Sequence, residues 1–122
     1  MKFGEYLREL RNEKNYKINR LAEIIDITSG YLSFIENGTR SAPSFEITMK
    51  IADALELSTD ERYKLIDLAA ESKNPPVLAD DLNQYIINNP ALRDLLRYTM
   101  QCSLSEKDWE IITAFIKKNY CF

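Results

Sequence analysis

Histidine is absent from the 122 residues. That removes the Ser-His and Cys-His pairs that activate nucleophiles, and any histidine-containing metal site. Glycine is nearly as scarce, and Gly4, Gly30 and Gly38 are too scattered to build a phosphate-cradling loop. No apolar run approaches the roughly 20 residues of a membrane span, and the charged, amphipathic start MKFGEYLREL lacks the apolar stretch of a signal peptide. Cys102 and Cys121 have no CxxC spacing. They read as free, partly packed thiols in a reducing compartment, with a redox pairing as the alternative. These absences together point to a cytoplasmic, non-enzymatic chain with no metal, no cofactor and no membrane partner.

Positive charge is short as well, 16 Lys and Arg against 19 Asp and Glu. The deficit is unevenly spread. Residues 1–40 hold seven basic and six acidic side chains, residues 41–72 hold three against seven, and residues 73–122 balance at six each. An acidic total therefore does not exclude a nucleic-acid partner for the N-terminal segment. It does predict weak non-specific affinity and a need for two binding heads acting together.

What is present is a 45% hydrophobic composition arranged at helical intervals. The stretch Ile18–Asn37, INRLAEIIDITSGYLSFIEN, places Leu21, Ala22 and Ile25 on one stripe, then Leu32 and Ile35 on another after a break at Asp26-Ile27. Two short helices joined by a tight bend follow. Ala22 falls where a second helix must cross closely, Ile27 can plug the wedge between the two, and Thr28 offers a hydroxyl to cap the second helix. With those residues assigned to cap and core, Ser29, Gly30, Tyr31, Ser33, Phe34 and Asn37 face outward. A second helix carrying such a face is a candidate for reading the major groove.

This stretch, with FGEYLRELR before it and GYLSFIENGTRSAPSFEITMKIADAL across and after its second helix, resembles the Cro/CI-type (XRE-type) helix-turn-helix DNA-binding proteins over residues 3 to 70. The resemblance implies an all-α fold, with a five-helix lambda-repressor-like head, and a double-stranded DNA partner. It implies base-reading positions at Ser29, Gly30, Ser33 and Phe34, where Phe34 would pack on thymine methyl groups. The alternative for Phe34 is packing beneath a C-terminal helix or in a dimer contact. Tyr31, Asn37, Thr39 and Arg40 match positions that hold the phosphate backbone. The family's usual Ser-Gln start of helix two is replaced by Lys17 and Ile18, so Lys17 or Asn19 would take over that phosphate contact, unless both are simply solvated. Arg11 and Glu36 match positions whose bidentate ion pair braces helix one against the reading helix, against the alternative of two solvated charges.

Beyond the head, Ser44 and the Ser58/Glu61 pair read as caps of helices four and five, and Asn37-Gly38 as the end of the reading helix. SKNPPVLAD, with Pro75-Pro76, reads as a linker. The organisation expected is a DNA-binding domain at 1–72, a linker at 73–80 and a helical region at 81–122. That region would hold three helices, the second opened by Asn89-Pro90 and the third by a Ser105/Asp108 capping box. Leu92, Leu95, Leu96, Trp109, Ile112, Phe115 and Ile116 give it more apolar surface than three short helices can bury. A homodimer is the economical answer, with packing against the head as the alternative. NPALRDLLR and Trp109 also resemble the tails of short regulators of this type in Gram-positive bacteria. The expected function is transcriptional regulation, as a homodimeric repressor reading a palindromic operator. The rival is an antitoxin or anti-host-defence protein whose C-terminal helices bind another protein.

Overall fold

In the computed structural model, which describes residues 1–121, the chain forms eight helices and, among those residues, no strand. Phe122, the last residue of the C-terminal region assigned from sequence, lies outside them. The helices are α1 (Phe3–Glu13), α2 (Ile18–Ile24), α3 (Ser29–Glu36), α4 (Phe45–Ala54), α5 (Thr59–Glu71), α6 (Asp80–Ile87), α7 (Pro90–Cys102) and α8 (Glu106–Tyr120). The chain divides into two units, Met1–Asn83 and Gln84–Phe122.

Helix starts in the first unit follow cap chemistry. Thr28 Oγ1 accepts from the Tyr31 N–H at 3.0 Å, Ser44 Oγ from Ile47 at 3.3 Å and Ser58 Oγ from Glu61 at 3.2 Å, and Glu61 returns the favour to the Ser58 N–H at 2.9 Å. Each bond satisfies a donor that the first helical turn leaves free. The Ser58 N–H, with help from Lys14, holds the Glu61 carboxyl below its ordinary range.

Helix ends follow a second rule. Asn15, Asp26 and Glu56 each take a positive φ of 52° to 62°, directly after α1, α2 and α4. The next residue then sends its N–H back into the helix, Tyr16 to the Arg11 carbonyl, Ile27 to Ala22 and Leu57 to Ala52, each at 3.0 Å. This closure turns Tyr16, Ile27 and Leu57 into the core, where the second apolar residue of such a motif belongs. Gly38, at φ 83°, ends α3 with a different exit. Its N–H reaches the Ile35 carbonyl, Arg40 reaches Phe34, and the loop continues outward.

The core is built from Phe3, Tyr6, Leu7, Leu10, Leu21, Ala22, Ile25, Leu32, Ile35, Ile51, Ala52, Leu55, Leu57 and Leu65, all buried. Burying a leucine or isoleucine of this kind contributes about 1.5–3 kcal/mol. Thr48 and Glu36 are the buried polar residues, and the Thr48 hydroxyl donates to the Ser44 carbonyl at 2.9 Å.

Of the stretch 73–80, read from sequence as linker, residues 73–79 lie against the head and Asp80 already begins α6. Lys73 Nζ donates to the Ala42 carbonyl at 3.2 Å, the Val77 N–H to Ala70 at 3.1 Å, and Ala79 is buried beside Ile66 and Ala70. The first unit accordingly runs to Asn83.

The second unit has no buried side chain among its described residues. Ser105 and Asp108 form the expected capping box at the start of α8. Asn89 does precede Pro90, but its side chain makes no cap bond and donates instead to the Tyr85 carbonyl at 2.6 Å. Cys102 and Cys121 are free, as expected, and exposed rather than partly packed.

Candidate nucleic-acid interface

The geometry of α3 is fixed from three sides. Beneath it, Leu32 and Ile35 meet Leu21, Ala22 and Ile25 of the α2 region in one buried cluster, and the small Ala22 allows the two helices to cross closely. At its start Thr28 caps it. At its end α1 presses directly on its backbone, because Gly4 has no side chain: a Cβ there would collide with the carbonyls of Ile35 and Glu36. Gly4 carried no structural role in the sequence reading, since nothing in spacing alone reveals that contact.

The Glu36 side chain is 2% exposed and is held by charge-assisted bonds, with Arg11 Nε to Oε2 at 2.7 Å and Arg11 Nη2 to Oε1 at 3.0 Å. Arg11 Nη1 also donates to the Tyr16 carbonyl at 2.8 Å. One guanidinium thereby ties α1, the end of α3 and the α1–α2 turn together. Arg8, one turn earlier on α1, also approaches Glu36, with Nε at 3.5 Å from Oε1.

On the outward side, Ser33, Gly30, Asn37, Thr39 and Arg40 are exposed, Ser29 and Tyr31 are half-buried, and Phe34 is 46% exposed. Tyr31 packs against the core cluster and is half-buried. Nothing lies within 4 Å of where a Gly30 Cβ would be, so the missing side chain leaves open space on the face. Asn37 spends its side-chain oxygen on the Thr39 N–H at 2.9 Å, which shapes the loop bearing Thr39 and Arg40. Lys17, the residue before α2, and Asn19 in its first turn are both exposed. Ser29, Gly30, Ser33, Phe34 and Asn37 thus share one face of a rigidly held helix.

The apolar residues singled out in the tail are distributed differently. Leu92 and Leu96 are half-buried, whereas Leu95, Trp109, Ile112, Phe115 and Ile116 are exposed. Ile111, Tyr98, Met100 and Tyr120 extend this apolar exposure beyond the residues picked from sequence. Among the described residues no group of three His, Cys, Asp or Glu side chains comes together as a metal site requires, and no helix is long and apolar enough to cross a membrane.

Comparison with known proteins bears on the head. A helix-turn-helix family profile matches residues 7–62. The chain is 40% identical over 55 residues to the HTH-type transcriptional repressor RghR of Bacillus subtilis, covering 45% of this chain and 41% of that protein. It is 31% identical over 65 residues to the HTH-type transcriptional regulator SinR of Bacillus subtilis, covering 50% and 59%. The matches therefore span about half the length of these relatives. A solved structure of a SinR protein/SinI protein complex aligns over 94% of each chain at 23% identity, with a TM-score of 0.49. The capped, braced α2–α3 pair lies within residues 7–62, the part of the chain that matches the helix-turn-helix profile and is similar to these HTH-type regulators.

Proposed function

We propose that the protein is a sequence-specific, DNA-binding transcriptional regulator that works as a homodimer, most simply a repressor at a palindromic operator. The observation that carries this reading is the outward face of α3, Ser29, Gly30, Ser33, Phe34 and Asn37, on a helix immobilised at both ends. That face offers no Arg, Lys or Gln fork for guanine or adenine. Recognition then rests on close backbone approach at Gly30, hydroxyl bonds from Ser29 and Ser33, and methyl contact at Phe34. Lys17, Asn19, Tyr31, Asn37, Thr39 and Arg40 supply phosphate contacts that position the helix. Two such heads would enter successive major grooves about 34 Å apart.

Electrophoretic titration against DNA from upstream of the protein's own coding sequence, with salt varied, tests the proposal. Binding that weakens steeply with salt supports it, and salt-insensitive or absent binding overturns it. Arg40→Ala should weaken binding evenly across sequences and lower the salt slope by roughly one, while Phe34→Ala should change sequence preference.

A second reading concerns the tail. The exposed Leu95, Trp109, Phe115 and Ile116 favour an association surface. A second copy of the chain is the occupant in the homodimer reading. A different protein is the occupant if the tail serves as an antitoxin-like or anti-host-defence module, and a stoichiometric non-self partner on purification would favour that arrangement.

A further inference from the structure

Arg8 carries a charge that the fold does not use. The Glu36 carboxylate is already matched, because Arg11 engages both of its oxygens and spends its remaining terminal nitrogen on the Tyr16 carbonyl. Arg11 is 13% exposed and its pair with Glu36 is complete and neutral. Arg8 adds a second guanidinium to one carboxylate, so the cluster is left net positive. Among the described residues its only hydrogen bond is through Nε, at 3.5 Å, the outer limit for such a bond. Both terminal nitrogens lack an acceptor, the side chain is 52% exposed, and among the described residues it has no other ion-pair partner. A long, half-exposed pair of this kind adds little to folding. What it does is hold a free, forked cation in a fixed place.

That place is beside the reading face. At about 100° per residue, Glu36 lies roughly 60° around α3 from Ser33, while Phe34 lies on the far flank of the face, roughly 160° from Glu36. The Arg40 N–H is fastened to the Phe34 carbonyl at 3.0 Å. Arg8 and the Arg40 loop therefore attach to opposite flanks of the same helix, with Ser33 and Asn37 between them. A helix in a major groove has a phosphate strand on each side. The planar guanidinium fork suits a phosphate better than a lone ammonium does.

We propose that Arg8 binds a backbone phosphate of duplex DNA, on the strand opposite the one approached by the Arg40 loop. Glu36 then has two tasks, closing the brace with Arg11 and orienting Arg8 without neutralising it. The proposal rests on the DNA-binding reading of α3 and adds to it a clamp from α1, a helix that reading used only as scaffold.

The test uses the full chain and a fluorescein-labelled mixed-sequence DNA duplex several helical turns long, with binding followed by anisotropy across a salt series. Arg8→Ala should weaken binding several-fold at low salt and reduce the salt slope by roughly one per head. Arg8→Lys should restore the slope, because charge carries it, and recover affinity only in part, because the fork is lost. The thermal midpoint of the free protein should stay within a few degrees for both variants. An unchanged slope in Arg8→Ala, alongside salt-dependent binding by the wild type, overturns the Arg8 proposal and leaves the DNA-binding reading standing. A loss of affinity matched by a large fall in thermal midpoint also overturns it, by making Arg8 structural. Absence of salt-dependent binding by the wild type both to this duplex and to the DNA upstream of its own coding sequence overturns both.

Discussion

The two units of this chain are similar in local structure and opposite in burial. Helices of both are opened by serine caps, Ser58 and Ser105 each within a complete capping box, and both contain a non-glycine residue in the left-handed conformation at a helix end, Glu56 and Ser103. Yet the first unit buries a large core cluster and a smaller one of Ile66, Ala70 and Ala79, and the second buries nothing among its described residues. Capping and backbone chemistry evidently specify helices without specifying a core. The first unit holds the outward face of α3 on a finished interior, whereas the second has helices whose apolar residues are exposed or half-buried.

The largest expected effect tests that contrast directly. Leu32 is fully buried, and Leu32→Ala should destabilise the head by about 2–5 kcal/mol, seen as a loss of cooperative thermal unfolding at moderate temperature. Phe115, at 59% exposure, should behave oppositely. Phe115→Ala should leave the head's transition unmoved and instead shift the full chain toward monomer in light scattering. If Phe115→Ala instead lowers the head's midpoint as Leu32→Ala does, the two units do not differ in the way their burial suggests.

Next in size is Glu36→Ala. It strands Arg11 in a nearly closed site and removes the anchor of Arg8, so it should cost about 3 kcal/mol in denaturant titration. Gly4→Ala should follow at about 1–3 kcal/mol, because α1 must lift off the carbonyls of Ile35 and Glu36. Both changes should weaken DNA binding through the position of α3. Neither should alter self-association if the tail alone carries it.

The helices and the outward set of α3 residues were legible in the sequence because each depends on neighbours a few residues apart. Leu21, Ala22, Ile25, Leu32 and Ile35 are all buried as their spacing requires, and Thr28, Ser44 and Ser58 all cap as their chemistry permits. Less legible were features set by the third dimension. Asn15, Asp26 and Glu56 close helices that a search for glycine would leave open. Gly4 and Arg8 matter only because α1 runs against the end of α3. Ala79 has no periodic context, yet the turn at Ser72–Val77 folds it back onto Ile66. Placement of Arg11 against Glu36 came from family resemblance and not from spacing, since residues 25 apart carry no local signal.

Smaller effects come from the shared helix-end chemistry. A non-glycine left-handed residue costs roughly 1–2 kcal/mol, part of which glycine returns as unfolded-chain entropy, so Glu56→Gly should stabilise the head by a net of about 0.5–1 kcal/mol. Ser103→Gly makes the same backbone change in the second unit. It should leave the head's transition where it is, which differential scanning calorimetry would show.

The smallest effect locates the end of the head. Burial, reinforced by Asp81 and Glu71, raises the Asp67 carboxyl above its ordinary 3.8. The folded state therefore binds this proton more tightly than the unfolded chain does. Below pH 3.8 both states are protonated and the group is neutral in its effect. As pH rises through the folded value, the charged form is disfavoured in the fold and stability is lost. Asp67→Asn should thus raise the thermal midpoint at pH 7 by a small amount that vanishes in acid. Because Asp81 stands in the first turn of α6, the gain should be larger in residues 1–83 than in residues 1–72, which lack that neighbour. Equal gains in the two fragments would mean that α6 adds no field at Asp67, and that the head, electrostatically, ends with α5.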